Sequence, residues 1–166
     1  MMNNKIKMVS LLLMLSVTGF AQKSIQEDDL NRLMYLNSLY LQSYIHSDTA
    51  TFNHFLWAEE FTQTNPDGSV LTRKENAIRF GKPRYDKIVY FYGDQIKITF
   101  LKEDLAEIYV RNPSGFLIDG KLEKNVSWYK DTYQKRNGEW KCISAVIKNN
   151  PFWNTSGNHK NCSVKR

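Results

Sequence analysis

The spacing of apolar residues changes several times along this chain, and each change predicts a different element. Met8 to Val17 is an almost unbroken apolar run. From Leu30 to His46 the apolar positions fall at helical spacing: Leu30, Leu33, Met34, Leu41, Tyr44 and Ile45, with Leu36, Leu39 and Tyr40 widening the stripe. Ser24 and Glu27 have the spacing of a capping box, so a long helix should start there. Asp48 is placed to cap a short second helix ending near Leu56. Glu60 to Thr64 has strand composition and runs into the turn Asn65-Pro66-Asp67-Gly68. Thr72 and Glu75 form a second capping box, with Gly81 at the stop position, which predicts a third helix between them.

Beyond Pro83 the period drops to two. Tyr85 to Tyr92, Gln95 to Leu101 and Leu105 to Arg111 are rich in β-branched and aromatic residues and read as strands. The breaks at Gly93-Asp94 and Lys102 to Asp104 look hairpin-like. Val126 to Lys135 and Glu139 to Lys148 are two more strands, joined through Asn137-Gly138, a strong hairpin signal. Helices followed by a run of antiparallel strands make the class α+β. No repeat or low-complexity linker divides the chain. It reads as one domain over 22–149 and an irregular tail over 150–166, polar apart from Pro151-Phe152-Trp153.

The first apolar run changes the setting of that domain. Lys5 and Lys7 precede it, and Gly19 and Ala21 sit at −3 and −1 from a cut before Gln22, so residues 1–21 have the pattern of a cleavable signal peptide. The run is well short of the ~20 residues that span a bilayer, so no membrane span is expected. The expected product is exported, periplasmic or secreted, and soluble after cleavage. A nucleic-acid partner is not expected there. Charge is uneven: residues 121–166 carry ten Lys/Arg against three acids, whereas 22–120 carry eleven against fourteen. A basic end suits an acidic partner such as a polyanionic glycan, and equally suits a solvated face with lysines alternating along strands. Cys142 and Cys162 permit one disulfide or two free thiols. His46, His54 and His159 are scattered without metal-ligand spacing, and no phosphate-cradling loop or Ser-His-Asp order is present, so neither metal nor cofactor is implied.

The order of these features, with Asp48 after the long helix, Asn65 to Ser69 as NPDGS, TRKE opening the third helix and DTYQKRNGEW at 131–140, resembles the NTF2-like superfamily. Within it the SnoaL-like and DUF4440-type domains are most similar in style. The resemblance spans about residues 28–148. It implies a cone: three helices packed in a strongly curved antiparallel sheet, with a pocket at the wide end. Members include isomerases, dehydratases, polyketide cyclases, transport adaptors and domains that only bind, so fold alone assigns no activity. The outer sheet face of such domains often pairs, which makes a homodimer an expectation.

Laid over the ketosteroid isomerases of that superfamily, Tyr40 takes the place of the tyrosine that donates to an enolate oxygen, eight residues before Asp48. Asp131 matches a carboxylic acid kept protonated by apolar surroundings. The position of the proton-abstracting aspartate is Asn65. A carboxamide is not basic near neutral pH, and losing a general base typically slows a reaction ~100- to 10,000-fold, so ketosteroid isomerisation is disfavoured. Similarity to the polyketide cyclases instead suggests Asp131 as a single acid/base group.

Strand alternation puts Tyr129, Asp131 and Tyr133 on one face. If that face is inward, two phenols flank the carboxyl; an ion pair between Asp131 and a basic neighbour across the hairpin is the structural alternative. Tyr90 and Tyr92 share a face and suit pocket lining or cross-strand packing. Trp57 is a further lining candidate, though Trp57, Trp128 and Trp140 all suit core packing. His46 suits a helix C-terminus, His54 a pocket mouth or the surface, and Arg79 an anionic ligand or solvent. Three functions follow: binding of a small, largely apolar ligand oriented by Tyr40, Asn65 and Asp131, without a cofactor; an isomerase, cyclase or dehydratase using Asp131; or a homodimeric interaction module.

Overall fold

A computed structural model describes residues 27–82 and 87–152. The signal-peptide segment, Ser24 of the first capping box and Cys162 lie outside the described residues. The first helix, α1, covers 27–46 of them. After it come α2 (Thr49–Thr51), a π-helical turn (Phe52–Leu56), strands β1 (Trp57–Thr64) and β2 (Val70–Thr72), and α3 (Arg73–Phe80). Five strands follow: β3 (Lys87–Phe91), β4 (Asp94–Lys102), β5 (Leu105–Ile118), β6 (Lys121–Arg136) and β7 (Glu139–Lys148). They form one curled, unclosed sheet in the order β2-β1-β7-β6-β5-β3, with β4 also on β5. Every pairing is antiparallel except β1 with β7. The α+β class and the helices-then-sheet order are as the sequence predicts.

Local chemistry sets the ends of the elements. Asp48 Oδ1 accepts from the Thr51 amide at 3.0 Å, capping α2. Thr72 and Glu75 make the reciprocal capping box of α3. Asn137 and Gly138 both have positive φ (52° and 82°), the conformation a two-residue hairpin turn requires. Asp119 and Gly120 do the same at 50° and 72°, closing β5 onto β6. Those two strands therefore run on past Arg111 and before Val126 as one long hairpin. The Gly93-Asp94 break is not a hairpin: β3 and β4 do not pair with each other but succeed one another along the same edge of β5. Gly93 lies so close to β5 that an added Cβ would sit 2.7 Å from a Val110 methyl, so the chain passes there only without a side chain.

Helix α1 lies in the concave face, burying Leu33, Leu36 and Asn37 against Ala106, Ile108 and Val110 of β5 and Tyr129 and Tyr133 of β6. At one end of α1, Asp29 clasps the β6–β7 hairpin. Its carboxylate accepts from Lys135 Nζ at 2.7 and 2.9 Å and from the Trp140 indole N–H at 2.9 Å. Trp140 is almost fully enclosed, so its N–H has no recourse to water. The π-helical turn leaves backbone carbonyls free, and long cations take them: Arg73 bonds the Asn53 oxygen, and Lys141 Nζ bonds those of His54 and Phe55 at 2.6 and 3.2 Å.

Asp29→Ala should lower stability by about 2 kcal/mol, since it strands an indole N–H and an ammonium group together. Asp29→Asn keeps an acceptor for Trp140 and should lose less. Urea midpoints at constant m-value check both, and equal losses would show that the indole bond contributes nothing.

Candidate functional site

Asp131 is centred on β6, opposite Ile108 of β5 and Ala145 of β7, with its side chain inward. Its relative exposure is 5 %. The carboxyl lines a small cavity with Tyr40 of α1, Trp57, Phe61 and Gln63 of β1, Tyr129 and Tyr133 of β6, and Cys142 of β7. The free space is about 10 Å³, the room of one water molecule. The rings that close it pack tightly: Trp57 stacks on Phe61 at 4.6 Å and on Phe52 at 4.7 Å, and Tyr40 meets Tyr129 edge-on at 5.4 Å.

Among the described residues nothing hydrogen-bonds the Asp131 carboxyl, and the ion pair across the hairpin does not form. Burial alone pushes its pKa up to about 7, because the charged form has lost water and gained no partner. Burial likewise raises the Tyr40 and Tyr133 phenols, which the neighbouring carboxyl reinforces, so both stay O–H donors. Neither phenol has a hydrogen-bond partner among the described residues. Tyr129 differs, since its hydroxyl is committed to Asn37 Oδ1 at 2.7 Å. The Cys142 thiol donates to the Ser144 carbonyl at 3.3 Å, and burial raises its pKa, so it is a thiol and an inert wall rather than a nucleophile.

Asn65 is not in the cavity wall. It sits in the β1–β2 turn, where its Oδ1 accepts from Arg79 Nη1 at 3.0 Å and from Gln63 Nε2 at 2.8 Å, and its Nδ2 donates to Ser69 Oγ. A guanidinium only donates, so Arg79 fixes which end of the Asn65 amide faces it. Asn65 Oδ1 then takes the NH₂ end of Gln63. Gln63 lines the cavity, and with its NH₂ end held by Asn65 its carbonyl is the uncommitted end of the amide. Arg79, Asn65 and Gln63 thus give one wall a defined polarity, opposite the donors Tyr40, Tyr133 and protonated Asp131.

The structure therefore brings together Tyr40, Trp57, Tyr129, Asp131 and Tyr133, and holds Asn65 one hydrogen bond away. Tyr90 and Tyr92 lie elsewhere, at a groove on the outer sheet face. Trp140 packs in the core beside Phe100 and Asp29, and Trp128 sits opposite Arg111 on the outward side of β6. His46 and His54 are exposed. Gln63 and Asn37 were not singled out by the sequence. The available signal was a polar residue at an inward position, Gln63 two after Phe61 on a strand and Asn37 beside Leu33 and Leu36 on a helix. Among the described residues no group of three His, Cys, Asp or Glu is placed to hold a metal ion, and no helix is long and apolar enough to cross a membrane.

The raised Asp131 pKa has a stability consequence of definite sign. Between about pH 4 and 7 the folded protein keeps a proton the unfolded chain has lost, so stability falls as pH rises through that window and levels off above 7. The full span is on the order of 4 kcal/mol. In Asp131→Asn this slope should vanish, making the variant more stable relative to wild type at pH 8 than at pH 4. Parallel denaturation curves across that range would place Asp131 outside a buried site.

No family model and no curated protein matches the chain. Solved structures do. An NTF2-like protein with a cystatin-like fold from Novosphingobium aromaticivorans is similar with TM-score 0.69 and 15% identity, over 79% of this chain and 88% of that one. A hexachlorocyclohexane dehydrochlorinase, LinA-type3 from Novosphingobium barchaimii LL02, gives 0.67 and 14%, over 76% and 89%. The association domain of C. elegans CaMKII gives 0.62 and 18%, over 76% and 98%. At these identities the likeness bears on architecture alone: the chain has the NTF2-like fold.

Proposed function

We propose that this is an exported NTF2-like domain that binds a small, largely apolar ligand beside Asp131. The observation that carries the reading is the Asp131 carboxyl, buried and unbonded, facing a cavity with two unbonded phenols. Three polar groups that make no hydrogen bond to the described residues converge on one small space lined by rings, which suits a ligand oxygen. Protonated Asp131 and the phenols donate to that oxygen, and the Gln63 carbonyl accepts from an adjacent N–H or O–H. The present space holds only one water, so a ligand enters by moving a ring. Of the rings lining that space Tyr40 is the partly exposed one, whereas Trp57, Phe61, Tyr129 and Tyr133 are buried, so Tyr40 is the ring we expect to move. The signal-peptide pattern of residues 1–21 supports export. The likeness to a kinase association domain supports self-assembly as well. The outer sheet face carries the pairs Glu107–Lys130 and Asp94–Arg111 beside exposed apolar side chains such as Tyr92, Leu122 and Val126, a mixed surface that suits such a contact.

A second reading follows from the Asp131 pKa near 7: the same carboxyl serves as acid and base on an enolisable ligand. The ionised form takes the proton from the carbon beside the carbonyl, while a phenol donates to the enolate oxygen.

Ligand-observed NMR with δ-valerolactam and cyclohex-2-enone tests both readings. The lactam, which also carries a donor for Gln63, should bind more tightly. Its affinity should fall about tenfold per pH unit above 7 in wild type, because the donating proton is lost, and stay level in Asp131→Asn. Binding of neither compound at any pH would sink the ligand reading. For the second reading, deuterium exchange beside the enone carbonyl should rise through pH 7 and disappear in Asp131→Asn.

A further inference from the structure

A second concavity lies outside the cone, on the outer face of the long β5–β6 hairpin. It is an open groove of about 470 Å³. Tyr90 and Tyr92 form one side, Lys124, Asn125 and Val126 the other; Pro113 is between them, with Arg111 also in the lining. Strand register explains the arrangement. Tyr90 of β3 is opposite Gly115 of β5, which is opposite Lys124 of β6, so the three fall in one row across the sheet. With no side chain on Gly115, the Tyr90 ring lies across the backbone there; a Cβ would collide with it. The Tyr92 ring is 6.0 Å away, tilted by 45°, and half exposed.

The polar groups are specific in kind. Arg111 is held by Asp94 through Nη1 at 2.7 Å, which leaves most of its planar fork of donors unused while Asp94 offsets its charge. Lys124 is exposed and makes no ion pair among the described residues, so it supplies the uncompensated positive charge. Aromatic faces carry negative potential and attract the weakly positive C–H faces of a sugar ring. A guanidinium fork and an ammonium select a carboxylate.

We propose that this groove binds an acidic glycan, with sugar rings on Tyr90 and Tyr92 and a uronate carboxylate between Lys124 and Arg111. The site is separate from the cone and does not depend on any ligand there. The charge complementarity comes from Lys124 together with the unused donors of Arg111, at a shaped aromatic surface.

Isothermal titration of the full chain tests it with three probes of matched length: hexagalacturonate, maltohexaose as the neutral α-1,4-linked sugar, and hexaglutamate as carboxylates without sugar faces. Hexagalacturonate should bind about tenfold more tightly than either control. Tyr92→Ala and Lys124→Gln, both at exposed positions, should each weaken it about fivefold. Gly115→Ala should weaken it too by displacing the Tyr90 ring, while Tyr90→Phe, which keeps the ring, should not. Equal binding of hexaglutamate would overturn the role of the tyrosines, equal binding of maltohexaose would overturn carboxylate recognition, and no binding of hexagalacturonate would overturn the site.

Discussion

A curled seven-stranded sheet presents more concave surface than one helix can cover, and the rest of this molecule is arranged around that excess. Helix α1 fills part of it with Leu33 and Leu36. The remainder is closed by flat rings: Phe52, Trp57 and Phe61 stack in series, and Phe80 joins Phe52 at 4.9 Å. The π-helical turn places Phe52 and leads directly into Trp57, which is why Arg73 and Lys141 must hold the carbonyls of that turn. Rings pack well on rings and poorly around a carboxyl. The small gap left beside Asp131 follows from that mismatch.

The gap has direction because it is built from two unlike halves. On the β6 side the groups are donors or can become so. On the β1 side, the chain from Arg79 through Asn65 to Gln63 ends in an acceptor. Position 65 therefore matters, although not as the base that its place in the turn would suggest by resemblance. A carboxamide accepts from Arg79 and Gln63 as a carboxylate would, while adding no charge near a carboxyl that is already hard to ionise. Asn65 keeps the polarity of the wall without competing for the proton.

Much of this fold was legible in the chain. Helix α1, the capped α3, the hairpin at Asn137-Gly138 and the span of β7 follow from periodicity and turn chemistry, which act within a few residues. What was not legible depends on distant partners. The β5–β6 hairpin continues through Asn112-Pro113-Ser114-Gly115, a stretch with poor strand propensity, because β3 pairs along it and Tyr90 occupies the space over Gly115. The carbonyls of the π-helical turn are taken by two cations from α3 and β7, partners that the local sequence does not reveal. In the site, alternation along β6 put Tyr129, Asp131 and Tyr133 on one face without saying which, and the packing of α1 against that face makes it the inward one. Gln63 was not legible, because its role arises from Arg79 sixteen residues on and from an amide orientation that no pattern of residue types encodes. Tyr90 and Tyr92 were recognised as a pair sharing a face; which face they share is settled by β3 joining the edge of β5.

Elsewhere this protein satisfies its buried polar groups with care. Asp29 is bonded by an ammonium and an indole, Asn37 by a phenol, and Asn112 by the Tyr92 carbonyl. Even the buried atoms without partners, on Arg73, Asn76 and Asp94, belong to side chains whose other polar atoms are bonded. Asp131 and its neighbour Tyr133, by contrast, make no side-chain hydrogen bond to the described residues while sitting nearly enclosed. A leucine or an asparagine there would avoid burying an ionisable group, so the carboxyl is a local loss of stability that the fold does not need. Such a loss lies where two phenols and an amide side chain converge, and it is the observation on which the proposed role of Asp131 rests.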